Sequence, residues 1–580
     1  MASGKSLMTL CSAIRSHALH HPKRPAVGFV RDPGDPSTAR WWTYTDLDRE
    51  AQSVAAYLRT HAEAGARVLL TYASSGEFVV GLLGCLYANL IAIPSSLPGQ
   101  YAHSRRRVLN IARDAGFSFV LAGSSVIDEV HSWADEHLPG TTILDHAAAV
   151  VHPGRYFDSD AIDPATVAIL QYTSGSTGSP KGSVVTHGNL RANASAILTA
   201  FSIDQSDRFG GWIPNYHDMG IGIILPPLLA GASTVLMDPA TFLRRPSSWL
   251  KLISTYGVTF TAAPNFGYRL CTRRVTEAEV SGLDLSSLRH AINGSEPVDA
   301  RVVREFTERF APARLRQEAI VPSYGMAEAT VFIAGTPDRT PVVFRCAGDA
   351  LADDHLVPSE SGAPHRELVS CGHPQDLEIR IVSPSGQELA DGQIGEIWLR
   401  GPSIVAGYWN NTEANARSFD ARIGDEGGFL RTGDLGALVD GELYVTGRIK
   451  EMIIVRGRNI YPHDVEQEVR LHHDQLRDGC GAAITIPGET GDERLILVHE
   501  VVGRASPEEL AATSRSIRET VVREFGVRCD QVVLVRRGAV RRTTSGKIER
   551  AEMRRAYLAG ELHSLVDDAV QADSPATAGR

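Results

Sequence analysis

The stretch of sequence that decides the fold is Tyr172-Thr173-Ser174-Gly175-Ser176-Thr177-Gly178-Ser179-Pro180-Lys181-Gly182. The apolar run 166–171 before it predicts a buried strand, and a helical pattern begins over 186–190 after it. Glycines let backbone N–H groups turn toward an anion, hydroxyls add donors, and Lys181 supplies a positive charge. The spacing is not that of a P-loop, and a flexible linker seldom follows a buried strand directly. The stretch therefore predicts a phosphate-binding loop, and a nucleoside triphosphate held by another fold is the first hypothesis.

Length and composition set the class of protein. A chain of 580 residues predicts two to four domains, and 43% apolar with 22% charged residues is ordinary for a soluble enzyme. The net charge of -10 argues against a nucleic-acid binder. The seven cysteines form no C-x-x-C pair, which predicts reduced thiols and a cytoplasmic protein. No secretory signal is apparent, and the apolar segment 78–94 is interrupted by glycines, so no integral membrane contact is expected.

The order of secondary-structure patterns predicts the architecture. Short apolar runs alternate with helical patterns on both sides of the loop, which predicts two related α/β subdomains with parallel sheets. From about 368 the polar–apolar alternation of antiparallel strands begins and predicts a small β-barrel. The predicted fold is thus an α/β N-terminal domain over 1–447, a smaller mobile α+β domain over 448–562, and a disordered tail over 563–580.

Segment 337–366 differs from its surroundings. It contains many Pro, Asp, Ser and Gly residues and shows little periodicity. A long segment without a pattern inside a compact domain is usually functional or mobile. We therefore treat 337–366 as an insertion in the N-terminal domain.

Three polar segments between residues 212 and 330 are candidate site elements. In 212–220, His217 is placed to bond a carboxylate or a ring, whereas the alternative is a helix start with Asp218 as its cap. In 293–297 several hydrogen-bond donors follow a predicted strand. Segment 323–330 adds Tyr324, whose ring can stack on a base, and Glu328, a carboxylate of the kind that Mg²⁺ prefers beside phosphates.

Two further candidates lie near the end of the chain. Asp434, in 431–436, is placed to accept two ribose hydroxyls, although Thr-Gly-Asp is also a common β-turn composition. Lys547 stands in the hydroxyl-rich loop 541–550, where a lone lysine is more often a solvated surface residue. Taken singly, only the phosphate-binding loop is specific.

Seven segments together resemble, in order, the core motifs of the adenylate-forming superfamily, which includes acyl-CoA synthetases, peptide-synthetase adenylation domains and firefly luciferase. They are 172–182, 212–220, 293–297, 324–330, 431–436, 447–466 and 543–550. Within the superfamily, 216–220, 324–330, 453–462 and 368–372 are most similar to fatty acyl-AMP ligases. The insertion 337–366 stands where this branch carries a segment that acyl-CoA synthetases lack.

The resemblance implies a reaction. ATP and Mg²⁺ would activate a fatty acid to an acyl-adenylate with release of pyrophosphate. The acyl group would then pass to the phosphopantetheine arm of an acyl carrier protein, met in trans, in lipid, polyketide or lipopeptide biosynthesis. In this family the insertion packs on the large domain and restrains the small one, so that coenzyme A is not the acceptor.

The resemblance also implies a role for each site residue. Thr173, Ser174, Gly175, Ser176, Thr177, Gly178 and Lys181 would bind the β and γ phosphates, and Thr173 and Glu328 would bind Mg²⁺. Asn293, Gly294, Ser295, Glu296, Tyr324, Gly325, Met326 and Ala327 would bind the nucleotide around its adenine, and Asp434 and Arg448 its ribose. The catalytic residues would be Lys547, His217 and Glu328, with Lys450 as the hinge.

Two alternatives remain open from the sequence. One is an acyl-CoA or aryl-CoA synthetase, which the insertion disfavours. The other is a non-catalytic nucleotide-binding relative. The presence of Lys181, Glu328, Asp434 and Lys547 argues against the second, because a protein without activity has no need of all four.

Overall fold

The structure is a computed structural model that describes residues 9–73, 76–99, 102–158, 162–173, 180–363, 365–455, 458–487, 493–503, 505–543 and 546–566. Most of the predicted disordered tail, 567–580, lies outside the described residues. In the described part of the chain, no helix combines the length and the apolar character needed to cross a membrane.

The chain up to residue 200 builds the whole of a six-stranded sheet and its first two strands belong to a second sheet. The strands of this segment are β1 (Pro25–Val30), β2 (Ala39–Thr43), β3 (Arg67–Thr71), β4 (Ile91–Ser95), β5 (Phe119–Ala122), β6 (Thr142–Asp145), β7 (Val167–Thr173) and β8 (Lys181–Thr186). Its helices are α1 (Leu10–His20), α2 (Tyr44–Arg59), α3 (Glu77–Tyr87), α4 (Ala102–Ala115), α5 (Ile127–His137), α6 (His146–Val150) and α7 (His187–Ala200). The strand order is β6-β5-β3-β4-β7-β8, and only the β7–β8 pair is antiparallel.

The next segment completes an eight-stranded sheet. Its strands are β9 (Arg208–Gly211), β10 (Ser233–Met237), β11 (Phe260–Pro264), β12 (His290–Gly294), β13 (Ile320–Gly325) and β14 (Phe332–Gly335). Its helices are α8 (Asp218–Gly222), α9 (Leu225–Ala230), α10 (Pro239–Arg244), α11 (Ser247–Tyr256), α12 (Asn265–Arg274), α13 (Glu277–Val280) and α14 (Ala300–Phe310). The order is β14-β13-β12-β11-β9-β10-β1-β2. Every residue of β10, β11 and β12 is buried, as expected for parallel strands covered by helices on both faces.

The strand between the phosphate-binding loop and the next helix was not predicted. The helical pattern expected over 186–190 is confirmed, since α7 begins at His187, but 181–186 forms β8, which pairs antiparallel with β7. Val184 and Val185 are β-branched and buried, which favours a strand over a helix. The loop therefore connects the two strands of a hairpin, with Thr173 and Lys181 paired at its base.

Antiparallel structure follows, as predicted. Its strands are β15 (Val343–Ala347), β16 (His365–Val369), β17 (Glu378–Val382), β18 (Gly395–Arg400), β19 (Ala421–Ile423), β20 (Glu426–Val439) and β21 (Glu442–Arg448), and its helices are α15 (Gly348–Ala352) and α16 (Thr412–Ser418). At the place of the predicted barrel, β17, β18, β20, β19 and β21 pair as a five-stranded antiparallel sheet.

The insertion 337–366 has regular structure that its sequence pattern did not indicate. It contains β15, α15 and the start of β16, with β15 and β16 paired antiparallel. Cys346, Leu351 and Leu356 are buried in one cluster with Tyr444 of β21 and Tyr461. Their irregular spacing gives no periodic signal, because they pack on side chains that are distant in sequence rather than along one helix or strand face.

The last segment folds as α+β. Its strands are β22 (Ile453–Val455), β23 (Arg458–Ile460), β24 (Gly481–Pro487), β25 (Glu493–Val501) and β26 (Cys529–Arg536), and its helices are α17 (Pro462–His472), α18 (Pro507–Phe525) and α19 (Arg550–Leu558). β25 pairs antiparallel with β24 and parallel with β26. Val465 and Val469 of α17 and Ile517 of α18 are buried in a core with residues of this sheet. The predicted fold, a large α/β part followed by a smaller α+β part, is confirmed.

Buried histidines predict acid sensitivity of the fold. His187 is buried with neither ring nitrogen bonded within the described residues, and burial lowers its pKa to about 4. Burial also lowers the pKa of His499 to about 3. Because these values lie below the unfolded value, the stabilisation is complete above about pH 6.5 and is lost as the pH falls from there toward about 4.

We therefore expect the free energy of unfolding to fall between about pH 7 and about pH 5, and His187→Leu to remove about 2 kcal/mol of that fall. Urea unfolding of wild type and His187→Leu at both pH values measures the free energy of unfolding. The control is His131→Leu at an exposed site. An equal pH dependence in wild type and His187→Leu would contradict the prediction.

Candidate active site

Most of the predicted phosphate-binding residues follow the end of β7 in sequence. Ser174, Gly175, Ser176, Thr177 and Gly178 lie outside the described residues, and for Thr173 only the backbone, at the end of β7, is described.

Lys181 begins β8, and its Nζ lies 4.6 Å from the ring centroid of Tyr408. Burial and the neighbouring charge of Lys450 lower the pKa of Lys181, while Glu328 opposes that shift.

Glu328 lies on the same side of the site. Its Oε1 accepts a hydrogen bond of 2.7 Å from the Tyr408 hydroxyl. Lys181, Glu328 and Tyr408 therefore form a cluster, which we call the phosphate-side cluster. Tyr408 was not predicted from the sequence, because an aromatic residue between two strands has no distinguishing local pattern. The carboxylate of Glu328 and the ammonium group of Lys181 are of the kinds that Mg²⁺ and phosphates, respectively, require as partners.

Asp434 joins two predicted residues from different elements. Its Oδ1 lies 2.8 Å from Arg448 Nε, and its Oδ2 accepts a 2.7 Å hydrogen bond from the Tyr324 hydroxyl. Asp434 and Arg448 are cross-strand partners of β20 and β21, whereas Tyr324 comes from β13. Burial and then the Asp434 charge raise the pKa of Tyr324, so its hydroxyl remains a donor. The predicted ribose pair is therefore brought together with the predicted adenine residue.

The end of β12 and the residues that follow it contact α12. Asn293 is buried and its Nδ2 donates to Asn265 Oδ1 at 3.1 Å, and Glu296 Oε1 accepts from the Phe266 amide at 2.5 Å. Gly294 lies so close to the next strand that a Cβ would approach the Ser323 carbonyl oxygen to 2.8 Å. This close approach explains the glycine and leaves room beside the backbone of Gly294 and Ser295.

Residues 325–327, the other predicted nucleotide-binding residues, complete this side. Gly325 ends β13, and Met326 precedes a 3₁₀ turn over Ala327–Ala329 that also contains Glu328. A Cβ on Gly325 would meet the Val331 carbonyl oxygen at 2.1 Å. The tight turn thus connects Tyr324, on the ribose side, to Glu328 in the phosphate-side cluster.

Lys547 reaches the site from the last segment of the chain. It lies on a turn in which the Gly546 amide donates to the Thr543 carbonyl at 2.9 Å and the Lys547 amide to Thr543 Oγ1 at 3.1 Å. Gly546 has φ of 85°, and a Cβ there would lie 2.5 Å from the ring of Phe266 on α12. The turn is therefore packed against the large α/β part, and only glycine fits at that contact.

The charges around Lys547 come from separate elements. Burial and the charge of Arg448 lower its pKa, and the carboxylates of Asp218, Glu296 and Asp434 act in the opposite direction. Lys547 is half-buried and feels the charges of three carboxylates, so it is not the solvated surface residue of the alternative interpretation. Burial raises the pKa of Glu296.

His217 and Asp218 stand at the start of α8. His217 occupies the cap position without a capping side-chain bond, and its Nδ1 lies 3.3 Å from Asp218 Oδ1. Burial opposes ionisation of Asp218, but its contact with His217 and the charge of Lys547 bring its pKa below the usual value. Asp218, considered from sequence only as a helix cap, is a site residue that the predicted set missed. The signal was its place in the 216–220 motif.

An apolar cavity opens beside these groups. Asp218, Ser295 and Tyr324 line its polar end, and Ile197, Ile223, Ala262 and Ile292 are among its apolar walls. The space open to the centres of water-sized groups is about 60 Å³. A polar mouth that includes Asp218, whose charge acts on Lys547, and an apolar interior suit an acid whose carboxylate stays at the mouth while its tail is buried.

The predicted hinge, Lys450, lies between β21 and β22. It is exposed, and its neighbours form a turn in which the Glu451 amide donates to the Arg448 carbonyl at 3.0 Å. Its charge contributes to the field at Lys181. The segment between Arg448 and Ile453 therefore has turn structure rather than helix or strand.

Comparison with protein families and solved structures identifies the fold. The family model described as "AMP-binding enzyme" matches residues 14–409, and that of the "Disco-interacting protein 2-like, AMP domain" matches 450–566. A chain from a study of fatty acyl-adenylate ligases of E. coli and L. pneumophila has a TM-score of 0.85 and 31% identity, with 96% of this chain and 98% of that chain covered. A ligase from L. pneumophila in complex with acyl adenylate and pyrophosphate has a TM-score of 0.74 and 34% identity, with 95% and 96% covered.

Curated relatives agree with the structural comparison. The medium-chain-fatty-acid--[acyl-carrier-protein] ligase JamA of Moorena producens is 36% identical, with 96% of each chain covered. The 4-hydroxyphenylalkanoate adenylyltransferase of Mycobacterium tuberculosis is 35% identical, with 96% of this chain and 93% of the relative covered. The long-chain-fatty-acid--AMP ligase FadD26 of Mycobacterium marinum is 35% identical, with 96% and 98% covered. The chain therefore belongs to the AMP-binding enzymes and, within them, to the fatty acyl-AMP ligases.

Proposed function

We propose that this enzyme joins a fatty acid to AMP, with release of pyrophosphate from ATP, and then passes the acyl group to the phosphopantetheine thiol of an acyl carrier protein. The observation that supports it best is the position of Lys547. Asp218, Glu296 and Asp434 are the carboxylates whose charges act on its ammonium group, and Asp218 lines the mouth of the apolar cavity. A cation at this point can neutralise charge on both a fatty-acid carboxylate and an α-phosphate.

The phosphates would lie at the end of β7. Lys181 and the loop residues Ser174, Gly175, Ser176, Thr177 and Gly178 would hold the β and γ phosphates. Glu328, with Thr173, would hold Mg²⁺, because this hard cation prefers carboxylate oxygen ligands. The ion would neutralise part of the phosphate charge. The Tyr408 hydroxyl, bonded to Glu328 at 2.7 Å, orients that carboxylate.

The nucleoside would lie between β13 and the β20–β21 pair. Asp434 and Arg448 would bind the ribose, while the backbone of 293–296, the Tyr324 ring and the turn 325–327 would bind the adenine. The bond from the Tyr324 hydroxyl to Asp434 holds the ring and the carboxylate in one relative position. Binding the nucleoside and the acid on fixed elements aligns the two reacting groups.

In the first step, a fatty-acid carboxylate oxygen attacks the α-phosphorus, and the bond from that phosphorus to the pyrophosphate oxygen breaks. No proton is transferred, so charge neutralisation and alignment are what the residues must supply. Lys547 would bridge the carboxylate and the α-phosphate, since its charge is carried on a long flexible stem. His217, bonded to Asp218, would line the junction of cavity and adenylate.

In the second step, the thiolate of the carrier's arm attacks the acyl carbonyl carbon, and AMP leaves with the electrons of the broken C–O bond. We place the hinge for this step at Lys450, between a domain over 1–447 and one over 448–562, because few backbone torsions in a turn can rotate a domain. The free thiols of all seven cysteines support a reducing, cytoplasmic location. The pathway would be lipid, polyketide or lipopeptide biosynthesis.

The test incubates the enzyme with ATP, Mg²⁺ and a panel of acids that includes unbranched fatty acids and a 4-hydroxyphenylalkanoate. Coenzyme A or a holo carrier protein is the acceptor, and mass spectrometry follows acyl-AMP and thioester. We expect acyl-AMP with either acceptor and thioester on the carrier alone. Efficient thioester formation with coenzyme A would favour an acyl-CoA or aryl-CoA synthetase, and absence of acyl-AMP with every acid would favour a non-catalytic relative.

The insertion supports the choice of acceptor, because it contacts the part of the chain that must rotate. Arg366 of β16 pairs with Glu468 of α17 at 2.6 Å, and its guanidinium lies 4.2 Å from the ring centroid of Phe525 in α18. Both side chains of the ion pair are less than one-fifth exposed. The pair therefore restrains α17 and α18 relative to the insertion.

We expect Arg366→Ala to free the small domain from this restraint. Hydrogen exchange over 448–455 should become about tenfold faster, which corresponds to about 1.4 kcal/mol of lost coupling. Arg345→Ala is the matched control, because Arg345 lies in the same insertion, is 68% exposed and pairs at 3.7 Å with Glu367 of β16. Equal exchange rates in wild type and Arg366→Ala would contradict the restraint.

A further inference from the structure

Phe201 and Phe260 line the inner end of the apolar cavity and belong to a row of packed rings. Phe209 of β9, Phe260 of β11 and His290 of β12 are paired in register across three neighbouring parallel strands. Phe209 and Phe260 stack with their centroids 4.1 Å apart. Phe201, which follows α7, lies 5.2 Å from both Phe260 and His290. These four buried side chains lie at the amino ends of the strands, and we call them the aromatic floor.

The side chains nearer the mouth are smaller. Alternate residues of a strand share one face, so Ala262 follows Phe260, and Ile292 and Gly294 follow His290, on the face that the cavity occupies. The polar mouth lies at the carboxyl ends of the same strands, next to Gly294 and Ser295. An acyl tail entering at the mouth would therefore run along β11 and β12 toward the aromatic floor.

The floor is held by contacts behind it. The Phe201 carbonyl oxygen accepts a 3.2 Å hydrogen bond from Arg289 Nη2. Arg289 Nη1 lies 3.3 Å from Asp207, whose carboxylate is fully buried. Phe260 lies within a strand that is hydrogen-bonded on both sides. Moving these rings would disrupt an ion pair and a close-packed core, so the floor behaves as a fixed wall.

The distance from floor to mouth limits the tail. The Phe260–His290 row and the Pro264–Gly294 row are four residues apart, which at about 3.3 Å per residue is about 13 Å. Contact with the ring takes up about 4 Å of that length. An extended chain advances about 1.2 Å per bond, so about seven or eight bonds fit.

The volume of the cavity gives a second limit. A water-sized group needs about 10–15 Å³ of the space open to its centre, so the observed 60 Å³ holds about four to six groups of that size. A methylene group is similar in size to a water molecule. The length and the volume therefore agree on a short tail.

We propose that the aromatic floor restricts this enzyme to acids of about six to eight carbons, and that Phe201 and Phe260 set this length. The proposal rests on the proposed function, because it names the acid that the adenylation site accepts. Longer tails would have to displace rings that are fixed from behind, and overpacking of this kind is destabilising.

The first test uses the wild-type enzyme with ATP, Mg²⁺ and butanoate, hexanoate, octanoate, dodecanoate or hexadecanoate, and measures acyl-AMP by mass spectrometry. We expect the highest kcat/KM with hexanoate or octanoate, at least about tenfold above hexadecanoate. An equal or higher value with hexadecanoate would overturn the length limit and leave the proposed function intact. Absence of acyl-AMP from all five acids would instead refute the proposed function, and the length limit with it.

The second test opens the floor. In Phe260→Ala and Phe201→Ala the preferred acid should become longer, with kcat/KM for dodecanoate about tenfold above wild type. Phe306→Ala is the matched control, because Phe306 is equally buried but packs on Tyr268 at 5.0 Å, outside the cavity. Unchanged acid preference in the folded floor variants would overturn the assignment of these rings. If either alanine variant does not fold, Phe260→Leu is used instead, because leucine removes less volume than alanine does.

Discussion

Lys547→Ala is expected to lower the rate of acyl-AMP formation by about a thousandfold or more, while ATP still binds. The reason is that the turn carrying Lys547 packs on Phe266 of α12, where the charges of Asp218, Glu296 and Asp434 act on its half-buried ammonium group. Removal of this charge leaves the carboxylate of the acid and the α-phosphate to approach each other without a bridging cation. The phosphate-side cluster and the Asp434–Arg448 pair remain, so nucleotide affinity should change little. Pyrophosphate release measures the rate, and fluorescence of a labelled ATP analogue measures the affinity.

Lys251→Ala is the matched control, because it removes another partly exposed lysine, on α11, whose Nζ is 4.0 Å from Glu279. It should leave both the rate and the affinity unchanged. Near-normal acyl-AMP formation by Lys547→Ala would refute the assignment of the catalytic lysine. Loss of ATP binding in the same variant would show instead that Lys547 acts on the ground-state nucleotide.

Asp434→Asn is expected to raise the KM for ATP by about ten- to a hundredfold, with a smaller fall in kcat. The two carboxylate oxygens serve Arg448 Nε at 2.8 Å and the Tyr324 hydroxyl at 2.7 Å. The asparagine side chain keeps one acceptor oxygen, but its NH₂ group faces either Arg448 Nε or the Tyr324 hydroxyl, both of which are donors. A buried donor without an acceptor costs about 1–3 kcal/mol. That penalty converts to the expected change in KM at about 1.4 kcal/mol per tenfold. Steady-state kinetics with ATP varied and the acid in excess measures it.

Asp440→Asn makes the same chemical change at the exposed turn between β20 and β21. Its KM for ATP should equal that of wild type. If Asp434→Asn lowered kcat while leaving the KM for ATP unchanged, the assignment of Asp434 to the ribose would be wrong. The thermal unfolding temperature of Asp434→Asn, compared with that of Asp440→Asn, separates a local loss of ATP binding from a general loss of stability.

The polar residues of the candidate site were predicted better from the sequence than its aromatic residues. Asp434, Tyr324, Glu328 and Lys547 were singled out because segments 324–330, 431–436 and 543–550 resemble, in order, core motifs of the adenylate-forming superfamily. Tyr408 and the aromatic floor were missed. They are ordinary aromatic residues in local sequence, and only the pairing of distant strands brings Phe209, Phe260 and His290 into one row.

The errors in the fold have the same origin. Residues 181–186 were not predicted to form β8, because a strand of six residues after a glycine-rich loop is recognised only through its partner β7. The insertion 337–366 lacked a periodic pattern, yet Cys346, Leu351 and Leu356 are buried against β21 and Tyr461. Long-range packing, which overrides local propensity, produced both differences.

The sequence by itself determined the fold class, the family and the residue types of the chemistry, because strand–helix alternation and short polar motifs are local properties. The tertiary structure alone decided which of those residues meet. It packed the turn that carries Lys547 against α12, paired Arg366 of the insertion with Glu468, and placed Phe201 and Phe260 in the wall of the cavity. Such contacts join residues far apart in sequence, and their distances depend on the packing of whole sheets and helices rather than on any local pattern.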